Sequence, residues 1–83
     1  MKYALVYTNS AAKDVKKLDT VQKKKLAKKI VNLRKHPQKI SKKLLHPKLG
    51  TFRYRIGDFR VIFDLVGGNV VVLRIGHRKE IYR

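Results

Sequence analysis

Residues 52–75 read FRYRIGDFRVIFDLVGGNVVVLRI, and this stretch decides the fold. The runs Phe52 to Ile56, Phe59 to Val66 and Val70 to Ile75 are rich in aromatic and β-branched residues. They are separated by Gly57-Asp58 and by Gly67-Gly68-Asn69, each a short turn signal. Three consecutive antiparallel strands are the simplest solution. If Gly57 and Asp58 form a two-residue loop, Ile56 pairs with Phe59 and Arg55 falls directly opposite Arg60, with Arg53 two residues along on the same face. Like charges set opposite each other cost about 0.2–1 kcal/mol, so a purely structural sheet gains nothing from this placement. The other face collects Phe52, Tyr54, Ile56, Phe59, Val61, Phe63 and Leu65, an uninterrupted apolar surface for helices to cover. The arginine face is therefore expected to look outward.

The second hairpin is open to two readings. A two-residue loop at Gly67-Gly68 or Gly68-Asn69 puts Val71, Leu73, Ile75 and His77 on the Arg60 side, with His77 beside or close to Arg60. A three-residue loop reverses the parity and brings Arg74 to the arginine side instead.

Upstream of the meander, Tyr3 to Thr8 alternates as a first strand should. Asn9-Ser10 offers a helix N-cap. Ala11, Val15 and Leu18 then mark one apolar stripe of a helix of about two turns. Asp19-Thr20 supplies a second capping site for a longer amphipathic helix with Leu26, Ile30 and Leu33 inward. Lys23, Lys24, Lys25, Lys28, Lys29, Arg34 and Lys35 lie on its other face, and the helix stops near His36 because Pro37 disfavours helical geometry in the residue before it. Residues 38–51, with a proline, a glycine and four lysines, read as a connector containing at most a short helical turn around Ser41 to Leu45. The expected architecture is α+β: an antiparallel-dominated sheet, made of the N-terminal strand and the C-terminal three-strand meander, packed on two N-terminal helices. Its 83 residues suffice for one domain, 1–83.

Composition narrows the function. Twenty-two Lys+Arg against five Asp+Glu give a formal charge of +17, which favours polyanionic partners and predicts self-repulsion that an acidic partner would relieve. The chain has no cysteine, hence neither a disulfide framework nor a thiolate zinc site, and its three histidines are scattered without a carboxylate cluster. No metal or other cofactor is expected. Residues 1–7 are too short and too alternating for a signal peptide, and no apolar run approaches the roughly 18 residues that span a bilayer. A cytoplasmic location with no membrane partner is the expectation. The lysines of the long helix are read as a solvated face that adds long-range attraction. With so few acids to neutralise them, Arg53, Arg55 and Arg60 are read as ligands for RNA phosphate, together with Lys48 from the connector.

The segment Tyr54-Arg55-Ile56-Gly57-Asp58-Phe59-Arg60-Val61-Ile62-Phe63, followed by Ile75-Gly76-His77-Arg78-Lys79-Glu80-Ile81-Tyr82, resembles the RelE/ParE toxin superfamily. The order of strand, two helices and meander fits that family over nearly the whole chain. The resemblance implies a type II toxin of the RelE branch, an endoribonuclease that cuts mRNA in the ribosomal A site, contacts ribosomal RNA and is silenced by an acidic antitoxin. It implies that Arg60 is the hairpin arginine of the active site, Arg78 the arginine after the last strand and Tyr82 the terminal tyrosine, with His77 competing with Arg78. Arg53 and Arg55 stand where the family often carries lysines. A guanidinium stays protonated at ordinary pH, so these two would hold phosphate rather than accept a proton. Imidazole is the side chain whose ordinary titration range suits acid–base work, which makes His77 a candidate for it. Alternatives are a non-catalytic ParE-like toxin that inhibits DNA gyrase and a plain basic nucleic-acid-binding module.

Overall fold

The computed structural model describes residues 3–37, 42–43 and 52–77. Its elements run β1 (Ala4–Tyr7), α1 (Asn9–Lys17), α2 (Thr20–Lys35), β2 (Lys42–Lys43), β3 (Phe52–Ile56), β4 (Phe59–Val66) and β5 (Asn69–His77). Among the described residues the sheet is five-stranded in the order β1-β5-β4-β3-β2. Only β1 is parallel to its neighbour, pairing with β5 from Ala4↔Asn69 to Tyr7↔Val72. The α+β expectation stands, with one addition. Part of the connector read as a turn of helix pairs as a two-residue strand, Lys42↔Arg53 and Lys43↔Phe52, because β3 at the edge of the meander has backbone groups to satisfy.

Both helices form where the apolar stripes place them, and their caps show why they start there. The N-cap of α1 is Thr8 rather than Asn9 or Ser10. Its hydroxyl accepts from the Ala11 N–H at 3.1 Å and donates to the Leu73 carbonyl at 3.0 Å, so one side chain ends the strand, starts the helix and ties both to β5. The Asp19 cap of α2 is a full capping box: its carboxylate accepts from Gln22 N, and the Gln22 side chain accepts from Asp19 N. The helix ends at His36, before Pro37. The Tyr3 N–H donates to the Arg34 carbonyl and the Arg34 Nε–H to the Tyr3 carbonyl, which fastens the end of α2 to the entry of β1.

Ala11, Leu26, Ile30 and Leu33 of the helices pack on Tyr54, Ile56, Phe59, Val61, Phe63, Val70, Val72 and Ile75 of the sheet. Phe63 is fully buried at the centre and stacks on Phe52 with ring centroids 5.4 Å apart. The apolar face foreseen on β3 and β4 is thus the core face. A fully buried side chain of this size contributes about 1.5–3 kcal/mol relative to exposure.

Both hairpins turn on two residues, with a positive φ at Gly57 (56°) and Gly67 (59°) and, among the described residues, at no non-glycine residue. That is the type II′ requirement of glycine at the first central position. The first hairpin holds its register throughout, from Ile56↔Phe59 through Arg55↔Arg60 to Phe52↔Phe63. The second begins regularly at Val66↔Asn69 and reaches Phe63↔Val72, after which the register slips and Ile62 pairs with Arg74. Leu73 is the extra residue of a β-bulge. The two-residue loop is therefore correct, but the faces expected from it beyond Leu73 are not. Strict alternation after Val70 and Val72 would drive Arg74 into the core and leave Ile75 outside. Burying a guanidinium costs several kcal/mol and exposing an isoleucine forfeits about 2 kcal/mol, so the bulge is the cheaper arrangement. Ile75 is accordingly buried in the core.

Candidate nucleic-acid interface

The first hairpin delivers the arginines together. Arg55 and Arg60 are directly paired, so they share a face, and Arg53 is two residues along it. Arg55 Nε–H donates to the Gly57 carbonyl at 3.4 Å, and Arg60 Nη1–H reaches the same carbonyl at 3.5 Å and the Phe59 carbonyl at 3.4 Å. Two guanidinium groups thus converge over one turn. Guanidinium groups brought together in this way can offer N–H donors to an anion.

The face is not uniformly outward. Arg55 is exposed and Arg53 half-buried, while Arg60 is 7% exposed and its face neighbour Ile62 is 1% exposed. Nor are the arginines bare, since Arg53, Arg60 and Asp64 each engage further neighbours in the protein. The expectation of a face left wholly to solvent is corrected to a graded one: Arg60 held rigidly at its floor, Arg55 at its rim.

The bulge decides what joins them. Arg60 pairs with Gly76, and His77 pairs with Phe59. His77 is therefore not beside Arg60, and the proton-transfer role read for it from the second hairpin loses its geometric basis. Arg78, Tyr82 and Lys48 lie outside the described residues.

Arg74 falls level with Ile62, yet its charge is committed elsewhere. Its Nε–H donates to Asp14 Oδ2 at 2.7 Å and its Nη2–H to Asp14 Oδ1 at 3.3 Å. The hydrogen bond to the Asp14 carboxylate raises its pKa further above the ordinary arginine value, partly opposed by desolvation, so Arg74 stays a cation. Asp14 Oδ2 also accepts from the Ile75 N–H at 2.9 Å. The reason is topological. β1 stops opposite Val72, so among the described residues the outer edge of β5 beyond that point has no strand neighbour, and α1 supplies Asp14 to satisfy it. Sequence reading missed Asp14. Its signal was a lone acid on the inward stripe of α1, three residues after Ala11 and one before Val15.

Beside this edge is a groove of about 400 Å³ lined by Asp14, Lys17, Leu18 and Gln22 of the helical half and by Arg74, Ile75, Gly76 and His77 of β5. His77 belongs here. Of the five acids in the chain, Asp14 holds Arg74 and Asp19 caps α2, so neither is at the arginine hairpin.

Comparison with known proteins concerns the chain and its fold as a whole. The family model described as "ParE toxin of type II toxin-antitoxin system, parDE" matches residues 5–82. Toxin RelG of Mycobacterium tuberculosis is 31% identical over 90 residues, covering 100% of this chain and 99% of its own. A chain from the crystal structure of the toxin–antitoxin complex RelBE2 of Mycobacterium tuberculosis superposes with a TM-score of 0.84 at 27% identity, over 94% of this chain and 100% of that one. A chain of the RelB-RelE antitoxin–toxin complex of Methanococcus jannaschii gives 0.73 at 21% identity over 93% and 94%, a likeness of fold alone.

Proposed function

This chain belongs to the RelE/ParE superfamily of type II toxins, and from that premise we propose that it is a ribosome-dependent mRNA endoribonuclease held inactive by an acidic antitoxin. The observation that carries the proposal is the convergence of Arg55 and Arg60 on the Gly57 carbonyl, a preorganised pair of guanidinium groups suited to a phosphodiester. In the reaction the ribose 2′-oxygen forms a bond to the adjacent phosphorus as its proton departs. The bond to the 5′-oxygen breaks and that oxygen takes up a proton, leaving a 2′,3′-cyclic phosphate and a 5′-hydroxyl. Extra negative charge develops on the non-bridging oxygens in the transition state, and fixed cations act most strongly there. Arg60, held at the floor of the face, and Arg78 are assigned that charge. Arg53, Arg55 and Lys48 hold flanking phosphates or ribosomal RNA. Tyr82 stacks on or orients a splayed base. No metal or other cofactor takes part, and DNA, lacking the attacking hydroxyl, is not a substrate. The chain is read as one domain acting in the cytoplasm, and none of its described helices is long and apolar enough to cross a membrane.

The test is to add the purified protein to programmed ribosomes and map mRNA ends, with Arg60→Ala and Arg55→Ala alongside and thermal melts to confirm that both variants fold. Intact message with the wild type, or undiminished cutting by both folded variants, removes the enzyme reading. The matched family model is described by the ParE name, which favours one second reading: a non-catalytic toxin acting on DNA gyrase. A supercoiling assay separates the two, because inhibition of gyrase with intact message would establish the second.

A further inference from the structure

The groove between the helices and the open edge of β5 has the properties of a ligand site rather than of a packing gap. Its volume of about 400 Å³ lies within the 300–1,000 Å³ usual for small-ligand clefts. Its apolar part is the half-buried Leu18 side chain, since Ile75 borders the groove but is 2% exposed and belongs to the core. The polar groups around it are donors with capacity to spare. Arg74 spends two of its five N–H donors on Asp14. Gln22 uses its amide oxygen on the Asp19 N–H, which leaves its amide nitrogen to donate. Lys17 is exposed in the last turn of α1. The one carboxylate among the described residues of the lining, Asp14, is already taken by Arg74 and by the Ile75 N–H. The unspent potential of these residues is therefore cationic and hydrogen-bond donating, beside the apolar Leu18 side chain.

Its position links it to the arginine face. Gly76 lines the groove and is also the strand partner of Arg60. Among the described residues, no strand flanks β5 beyond Val72 on that side. A polyanion lying on the arginines can therefore pass over the sheet edge at Gly76 and enter the groove with its next unit.

We infer that the groove is a subsite for one nucleotide of the RNA strand adjoining the scissile phosphate, its phosphate met by Lys17 and Arg74 and its base laid against Leu18. His77 and the Gln22 amide sit where the polar edge of that base would be read. This deepens the endoribonuclease reading and rests on it for the identity of the ligand. An acidic peptide would use the same cations but would leave the Leu18 side chain without a planar partner.

The experiment titrates the full-length protein, labelled for amide NMR, with adenosine monophosphate and, separately, with inorganic phosphate. The expected result is shifts at the amides of Leu18, Gln22, Ile75 and Gly76 with the nucleotide, and weaker binding of phosphate at the same place. Lys17→Glu, a change at an exposed position, should weaken nucleotide binding by about fivefold or more. Absence of shifts at these four amides, indifference to Lys17→Glu, or displacement of the nucleotide by inorganic phosphate with equal affinity overturns the subsite. So does a short polyglutamate peptide that shifts these amides when the nucleotide does not. Cleavage of ribosomal message by the same preparation is scored separately. Cutting without groove shifts sinks the subsite alone, whereas groove shifts without cutting leave a nucleotide-binding groove but sink the enzyme reading and, with it, the placement beside a scissile phosphate.

Discussion

The two hairpins of the meander begin alike and end differently. Each turns on two residues with glycine in the left-handed region, and each starts from an ordinary pair, Ile56↔Phe59 in one and Val66↔Asn69 in the other. The first keeps its register to its end and gathers Arg53, Arg55 and Arg60 on one face. The second slips at Leu73, sends Ile75 inward and hands Arg74 to Asp14. The difference teaches that a strand's faces follow its turn only while alternation and polarity agree. Where they conflict, the cost of burying charge resets the register, and with it the membership of the site.

The largest expected effect separates the hairpins by activity. Arg60→Ala in the first should lower ribosomal cleavage about 100- to 1,000-fold, the usual loss for one preorganised charge-stabilising group. His77→Ala in the second should cost about fivefold or less, because His77 lies level with Phe59 rather than with Arg60. Equal losses would break the functional half of the comparison.

Stability tests the bulge next. Ile75→Ala should destabilise by about 2–5 kcal/mol, as for other buried large-to-small changes, and Leu73→Ala by clearly less, because Leu73 is only half-buried. Unbroken alternation from the turn would leave both residues on one outward face with similarly small losses, so denaturant midpoints of the two variants decide between the registers.

A smaller effect belongs to the open edge. Asp14→Ala leaves the Ile75 N–H without its acceptor and frees Arg74, which should cost about 1–3 kcal/mol. Arg74→Ala should cost less, since Asp14 keeps the backbone bond and the guanidinium is 44% exposed. A double-mutant cycle measures the coupling.

The smallest is alkaline. Burial raises the Tyr54 hydroxyl above its ordinary pKa of 10.0, with its hydrogen bond to Asn32 opposing in part. The folded value is the higher one, so this contribution is intact below about pH 10 and is lost as pH rises through the folded value. Tyr54→Phe should flatten the fall in stability above pH 10, and an unchanged slope would remove Tyr54 as its cause.

Much of the fold was legible because its signals are local. The stripes Ala11/Val15/Leu18 and Leu26/Ile30/Leu33, the Asp19 cap, the stop before Pro37 and the glycine turns each depend on a few neighbouring residues. The Thr8 cap was misread by one or two positions because its hydroxyl is recruited by a carbonyl on β5, 65 residues away. The Lys42–Lys43 strand was missed because lysines carry no strand signal and pair there only to satisfy the edge of β3. Of the candidate site, the Arg55–Arg60 pair was legible from the Gly57-Asp58 spacing. Arg78, Tyr82 and Lys48 rest on family resemblance.

By itself the sequence determined the α+β class, the core face of β3 and β4, and the pairing of Arg55 with Arg60, since alternation and a two-residue turn leave no other parity. Tertiary structure alone decided how deep Arg60 sits, that Arg74 is spent on Asp14, and that His77 faces a groove instead of the arginines. Those outcomes depend on where β1 ends against β5 and on which residue the bulge ejects. Both are settled by competition between distant groups for burial and hydrogen bonds, a contest that no short window of sequence contains.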